Sequence, residues 1–295
     1  MKVRIGVGPG AASPDAAGLG ELVDALADLG FDSLWVSDVL TAPGVDALVG
    51  LAWAAGHHPR LKLGTTAVAP GRNPLRLAKE LATLDTLSGG RLLVTLVPGL
   101  PREPESGAIG AARGDRGRDL EEALDLARRL WRGEQVSWHR GDLVLERVTL
   151  SPRPVQDPLE VWLGGMAPAA LERCGRLADG WLPSLCTPEE AASGRRVVED
   201  AAARAGRRID PEHFGASVAY ATAALDEPTA AAVAARSRGQ APEDVVPVGL
   251  SALRTRLEAF IAVGTSKFVL RPLKPPADWA GELEALAAAV GDLQT

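Results

Sequence analysis

Residues Glu160 to Pro183 read EVWLGGMAPAALERCGRLADGWLP, and this stretch decides the fold because it spells strand, glycine turn, helix and strand in succession. Val161, Trp162 and Leu163 form a short apolar run that Gly164 and Gly165 end. From Pro168 the residues Ala170, Leu171, Cys174 and Leu177 recur at spacings of three and four, the period of a helix with one buried face. Ala178 to Leu182 then returns to an apolar strand. Strands alternating with helices in this way build a parallel sheet. Two glycines ahead of a helix remove Cβ atoms where its free N–H groups point, so an anionic group can approach the backbone closely. The same pair serves equally well as a tight turn with no ligand, and a short glycine motif does not decide between the two.

The alternation extends outward in both directions. Upstream, apolar runs at Val3 to Val7, Phe31 to Val36, Leu61 to Val68 and Arg91 to Val97 predict strands, and helical periodicity fills the intervals between them. Gly30 closes the first helix, while Asn73 and Pro74 open the third as cap and first residue. Pro98 to Gly117 is long and rich in glycine, proline and charge, as an active-site loop or lid would be. Between Gln135 and Leu150 the period changes to two around Arg140-Gly141-Asp142, which predicts a hairpin. Downstream, Thr187 with Glu190 predicts a capping box, and Ala216 to Ala221 and Lys267 to Leu270 supply two more strands. Eight strand–helix units, with no compositional break between them, predict one (β/α)8 TIM-barrel domain over residues 1–295 with a β-hairpin insertion before strand five. A doubly wound sheet is the main alternative. In a barrel the C-terminal strand ends share one mouth, and Asp38, Thr65, Thr66, Gly99, Gly164, Gly165, Ser184 and Arg271 fall there.

Composition narrows the function. The chain is 46% hydrophobic and 24% charged with a net charge of −6, which is globular and carries no basic footprint for nucleic acid. Cys174 and Cys186 lack CxxC spacing, and His57, His58, His139 and His213 lack metal spacing, so two buried reduced thiols and no metal site are expected. Neither a basic leader nor a membrane-length apolar run is evident, and a cytoplasmic protein is expected.

Several longer segments carry a family resemblance: LADLGFDSLWVSD, LKLGTTAVAPGRNPLRLAKELATLDTLSGGRLLV, RGRDLEEALDLARRLWRGE, PLEVWLGGMAPAALERCGRLADGWLP and the late FVLRP. In order and spacing the chain resembles the bacterial luciferase-like oxidoreductases, which use reduced FMN or the deazaflavin F420. The resemblance implies a TIM barrel with the cofactor ring at the C-terminal mouth, a small-molecule substrate, and a homodimer built on the early helices. It assigns Asp38 to the ring edge or to pocket order, beside the plainer role of helix cap or salt bridge. It also implies a non-proline cis peptide at Thr66-Ala67 pressed against the ring, and a phosphate held by the backbone of Gly164, Gly165 and Met166. Members acting as F420-dependent sugar-phosphate or alcohol dehydrogenases carry a histidine and a glutamate where this chain has Val39 and Leu100, and neither replacement can shuttle a proton. The strand-four end, Thr95-Leu96-Val97-Pro98-Gly99, departs from the family's glycine-rich pattern as well.

Reduction or monooxygenation of a small organic substrate is therefore expected, with no catalytic acid or base identified; a barrel that binds flavin or deazaflavin without catalysis is the alternative. An Ala-, Gly- and Arg-rich composition is typical of high-GC genomes, in which F420 is frequent, and its longer acidic tail would draw on Arg72, Arg113, Arg116, Arg118 or Arg271. Trp35, Val68, Leu100 and Trp181 are candidates to line the mouth, although all four suit a barrel core, Trp35 above all. If the backbone at Gly165 has negative φ, Gly165→Asp should spare the fold and repel a phosphate.

Overall fold

The computed structural model describes residues 1–10, 16–99, 103–110 and 116–295. Its elements run β1 (Arg4–Val7), α1 (Ala16–Asp28), β2 (Ser33–Ser37), α2 (Ala47–His57), β3 (Lys62–Val68), α3 (Pro74–Ser88), β4 (Leu92–Val97), α4 (Glu105–Ile109) and α5 (Arg116–Trp131). A hairpin of β5 (Val136–Arg140) and β6 (Leu143–Val148) follows. The chain continues through β7 (Val161–Leu163), α6 (Pro168–Leu177), β8 (Gly180–Trp181), α7 (Pro188–Arg204), β9 (Gly215–Tyr220), α8 (Glu227–Ala234), α9 (Pro242–Val245), α10 (Leu250–Ala262), β10 (Lys267–Pro272) and α11 (Trp279–Val290).

Eight strands form one parallel sheet in the order β8-β7-β4-β3-β2-β1-β10-β9. Parallel bridges Trp181↔Phe214 and Ser184↔Ser217, with Trp181 N–H donating to the His213 carbonyl at 2.9 Å, bring the two outer strands together and close a (β/α)8 barrel. The hairpin stands apart as a two-stranded sheet before β7, and Arg140 ties it to α5 through Asp119 and Glu122. The caps form as local chemistry requires. Asn73 Oδ1 accepts from the N–H groups of Leu75 and Arg76, Thr187 and Glu190 make a reciprocal capping box, and Gly30 adopts a left-handed φ of 77° just beyond α1.

Strand alternation separates two buried layers. Leu34, Val36, Leu92, Leu96, Phe268 and Leu270 belong to the cluster shared with the helices, whereas Trp35, Leu93, Trp162, Leu182 and Val269 pack together inside the barrel. The two interior tryptophans fit because glycines flank them. A Cβ on Gly64 would lie 2.2 Å from the Trp35 ring, and one on Gly180 would lie 2.3 Å from Trp162. Trp35 Nε1 is satisfied by Ser33 Oγ at 2.9 Å, so the indole can be buried without an orphan donor. Cys174 and Cys186 are buried and unpaired with each other, and burial raises both thiols, Cys186 to about 12. Among the described residues, no helix is long and apolar enough to cross a membrane, and no three His, Cys, Asp or Glu are grouped to hold a metal.

Candidate functional site at the barrel mouth

An interior cavity of about 170 Å³ is lined by Arg4, Lys62, Glu160, Trp162, His213 and Lys267, at the N-terminal ends of the strands. In barrel enzymes that end carries stability, whereas chemistry sits at the C-terminal mouth, so the mouth is the candidate site. There the ends of β2 and β3 are joined through Asp38, which is buried. Its Oδ2 accepts from the Val68 N–H at 3.0 Å and from Arg72 Nη2 at 2.9 Å. Arg72 also donates to Glu80 at 3.2 Å, so this cation already faces two carboxylates. Asp38 thus holds the end of β3 and Arg72 together at the rim through a hydrogen bond and a salt bridge.

Beside it lies a carboxylate that the sequence did not reveal. Glu105 of α4 is buried and accepts from the N–H groups of Leu40 and Thr41 at 3.0 and 3.2 Å and from the Thr41 hydroxyl at 2.7 Å. The described part of the long loop thus contains a short helix pinned to the loop after β2. Its acceptor and donors are separated by more than sixty residues, beyond the reach of any local pattern. Gly99, at the end of β4, turns with φ +76°, and a Cβ there would meet Ile109 and Val68 at 3.0 and 3.1 Å.

The interior of the mouth is set by strand parity. Thr66 is in register with Ser37 and Thr95. Thr66 faces inward, where its hydroxyl accepts from Arg271 Nη2 at 3.3 Å. Thr65 and Ala67 alternate outward instead: the Thr65 hydroxyl donates to the Val36 carbonyl at 3.2 Å, and Ala67 packs in the cluster shared with the helices. Every cis peptide bond among the described residues precedes a proline, at Pro104, Pro152 and Pro158, so the peptide between Thr66 and Ala67 is not cis as expected. Ser184 is exposed just past β8. Leu100 and Arg113 lie outside the described residues. Arg116 opens α5, and Arg118 is an exposed residue of the same helix paired with Glu122 at 2.7 Å.

The Gly164-Gly165 turn opens onto α6. Gly164 is buried, Gly165 is exposed and Met166 is half-buried against the core. No side chain caps α6 at Ala167, and the same is true of α10 and the short α4 and α9, whereas α2, α3, α7, α8 and α11 are capped by Asp46, Asn73, Thr187, Asp226 and Asp278. Pro168 has no N–H, and the N–H groups of Gly164 and Ala170 donate to the carbonyls of Leu96 and Ala167 at 3.3 and 2.8 Å, so the helix dipole and the remaining N–H groups of this turn are what favour an anion. Gly165 has φ +109°, so the condition attached to Gly165→Asp is not met: any side chain there is strained, and its Cβ would meet the Ala170 Cβ at 2.9 Å. Trp181 does not line the mouth. Its ring packs on Gly194 of α7, and its Nε1 donates to the Gly165 carbonyl at 3.0 Å, so it braces the turn from the helix side.

The uncapped α6 N-terminus and the inward-facing polar groups gather at the C-terminal mouth of a closed parallel (β/α)8 barrel, the end at which such barrels carry their sites. The profile of the luciferase-like monooxygenase family matches residues 1–291, and the chain belongs to that family. It is 31% identical over 217 residues to the F420-dependent glucose-6-phosphate dehydrogenase of Nakamurella multipartita, covering 68% of this chain and 62% of the relative. Limonene 1,2-monooxygenase of Rhodococcus erythropolis is 29% identical over 199 residues, 64% of this chain and 51% of that protein. The chain thus spans about three fifths of the length of the first of these relatives and half of the other. In three dimensions it is similar over its full length to an F420-dependent secondary alcohol dehydrogenase in complex with an F420-acetone adduct, at TM-score 0.81 and 19% identity, with all of that chain covered. A type II Baeyer–Villiger monooxygenase from Pseudomonas putida in complex with FMN gives TM-score 0.74 at 15% identity, covering 100% of this chain and 99% of that one.

Proposed function

We propose that the protein is an oxidoreductase that binds reduced F420 or FMN at the barrel mouth and reduces or monooxygenates a small organic substrate. The observation that carries this reading is the uncapped α6 N-terminus behind Gly164 and Gly165, at the mouth of a chain that belongs to the luciferase-like family. The backbone of Gly164, Gly165 and Met166 would hold the cofactor's phosphate, Trp181 would keep that turn in place, and Thr66 would meet the ring from the barrel floor. When bound, the cofactor supplies the hydride or the reaction with oxygen. The chain's own part is to bind, orient and exclude water. Asp38 and Glu105 fix the loops that form the rim, and Thr65 and Ala67 support β3 from the helix side without touching the ligand.

One observation favours a second reading, a barrel that binds the cofactor without catalysis. The carboxylates of Asp38 and Glu105 are each engaged by loop donors, so neither is held ready for proton transfer. We also propose one barrel domain that pairs with a second copy, because Val49 and Trp53 on α2 and Leu87 on α3 are large apolar residues left exposed on the early helices. Titration with FMN and F420, oxidised and reduced, tests the first reading. Dissociation constants at or below about the micromolar range are expected for at least one of them. Failure of both to bind would remove the enzyme reading, and tight binding without turnover of any acceptor would select the second.

A further inference from the structure

We propose that Arg271, together with the hydroxyls of Thr66 and Thr95, forms an anion subsite on the floor of the mouth that takes a delocalised oxyanion of the carboxylate type. The inference rests on the mouth being the ligand site, and it adds the charge of what binds there. It begins with parity. Val269 packs inside the barrel against Trp35, Leu93, Trp162 and Leu182, so Arg271, two residues on, also faces inward, one layer nearer the mouth. Thr66 and Thr95 are register partners on β3 and β4 and face the same layer.

That layer is incompletely satisfied. Among the described residues, the buried side-chain nitrogen and oxygen atoms without a hydrogen-bond partner are Arg271 Nε and Thr95 Oγ1, and both lie here. Arg271 has a single, long hydrogen bond, 3.3 Å from Nη2 to Thr66 Oγ1, and no carboxylate among the described residues pairs with it. Buried polar groups are ordinarily partnered and buried charges ordinarily paired, because the cost of leaving them otherwise is large. Arg271 is half-buried as a residue, with its Nε buried, and desolvation followed by the like charge of Arg236 pushes the guanidinium down to about 10, which leaves it cationic at neutral pH. Arg72, another cation at the mouth, is already matched by Asp38 and Glu80. A planar guanidinium fork with an idle Nε–H next to an idle hydroxyl suits the two-oxygen face of a carboxylate or of another delocalised oxyanion. Two sources can bring one: the substrate, or the pyrimidine edge of a reduced flavin or deazaflavin ring.

The test compares the wild type with Arg271→Met, Arg271→Lys and Thr95→Val. Thermal midpoints are read in sodium benzoate and sodium acetate against sodium chloride at equal ionic strength, and FMN and F420 affinities are read by fluorescence. If the substrate brings the oxyanion, benzoate or acetate raises the wild-type midpoint saturably beyond chloride. Arg271→Met then has the higher midpoint without added anion, loses that response, and binds the cofactors as the wild type does; Arg271→Lys keeps part of the response. If the ring brings it, the carboxylates do nothing, but Arg271→Met weakens reduced-cofactor binding about tenfold or more, the scale of one lost charge-assisted pair. Either result supports the subsite. Unchanged cofactor affinity in Arg271→Met together with no carboxylate effect on the wild type would overturn it and leave Arg271 a structural cation. Carboxylate binding through Arg271 with no cofactor binding at all would instead sink the proposed oxidoreductase function while the subsite stands.

Discussion

Two arginines at opposite ends of the barrel show how differently those ends are finished. Arg91, just before β4, donates to the carbonyls of Ser88, Leu61, His58 and Ala55 at 2.6–3.0 Å, closing the ends of α2 and α3 onto the sheet. Around it Asp32 takes Lys62 at 3.0 Å and Arg4 at 3.5 Å, and Ser33 satisfies the Trp35 indole. Arg271, at the other end of the same barrel, has one weak bond and a buried Nε with nothing to donate to. Both guanidiniums are lowered by burial, so the difference lies in the partners supplied. The chain saturates its donors at one end and leaves Arg271 Nε and Thr95 Oγ1 without partners at the other, as the proposed subsite requires.

The contrast predicts opposite consequences for removing polar groups at the two ends. Arg91→Met should destabilise by on the order of 3 kcal/mol in denaturant unfolding, because four carbonyls lose a charged donor at once. A cost below about 0.5 kcal/mol would mean that the N-terminal end does not depend on its saturated bonds. A smaller pair sharpens the comparison. Ser33→Ala strands the Trp35 Nε1–H and should cost about 1–3 kcal/mol, whereas Thr95→Val removes a hydroxyl that has no partner and should be neutral or stabilising by up to about 1 kcal/mol. If both cost the same, the difference between the two ends is not energetic.

The smallest effect is a pH dependence at the N-terminal end. Partial desolvation raises the Glu160 carboxyl above the ordinary range even though its side chain is 47% exposed, with His213 partly opposing it from 3.7 Å. A carboxyl raised on folding holds its proton longer in the native state, so its favourable contribution is present at low pH and is lost as pH rises from the ordinary glutamate range through the raised value. Glu160→Gln should therefore leave the thermal midpoint unchanged at low pH and raise it slightly near neutrality. A midpoint lowered near neutrality would show that the charged Glu160–His213 contact stabilises instead.

Much of this architecture was legible because it rests on local chemistry. The Asn73-Pro74 helix start, the Thr187–Glu190 capping box, the Gly30 stop and the hairpin around Gly141 are each specified within a few residues. Parity was not legible. In LKLGTTAV both faces of the strand are buried, so nothing in the sequence says which of Thr65 and Thr66 faces the barrel axis, and Thr65 and Ala67 turned out to face the helices. Arg271 stood out only as a charged residue ending the apolar run of FVLRP, and its inward parity follows from Val269 two residues before it. Long-range partners were equally hidden. Arg72 is tied to Asp38, Glu105 to Thr41 and Trp181 to Gly165, and each pair unites segments whose own patterns say nothing of the other. The φ of +109° at Gly165 was hidden too, because a glycine adopts either sign without a trace in the sequence.

The most direct measurement is made on Ala167→Asp, because Ala167 occupies the cap position of α6 with φ −64° and ψ 147°, a conformation that aspartate adopts without strain. A carboxylate there supplies the missing cap and sets a negative charge beside the Gly164–Met166 backbone assigned to the ligand's phosphate. Stability and cofactor affinity should consequently move in opposite directions: unfolding free energy up by about 0.5–2 kcal/mol, and affinity for FMN or F420 down about tenfold or more. A variant that gains the stability and binds the cofactor as tightly as the wild type would place the phosphate elsewhere and contradict the account of the mouth.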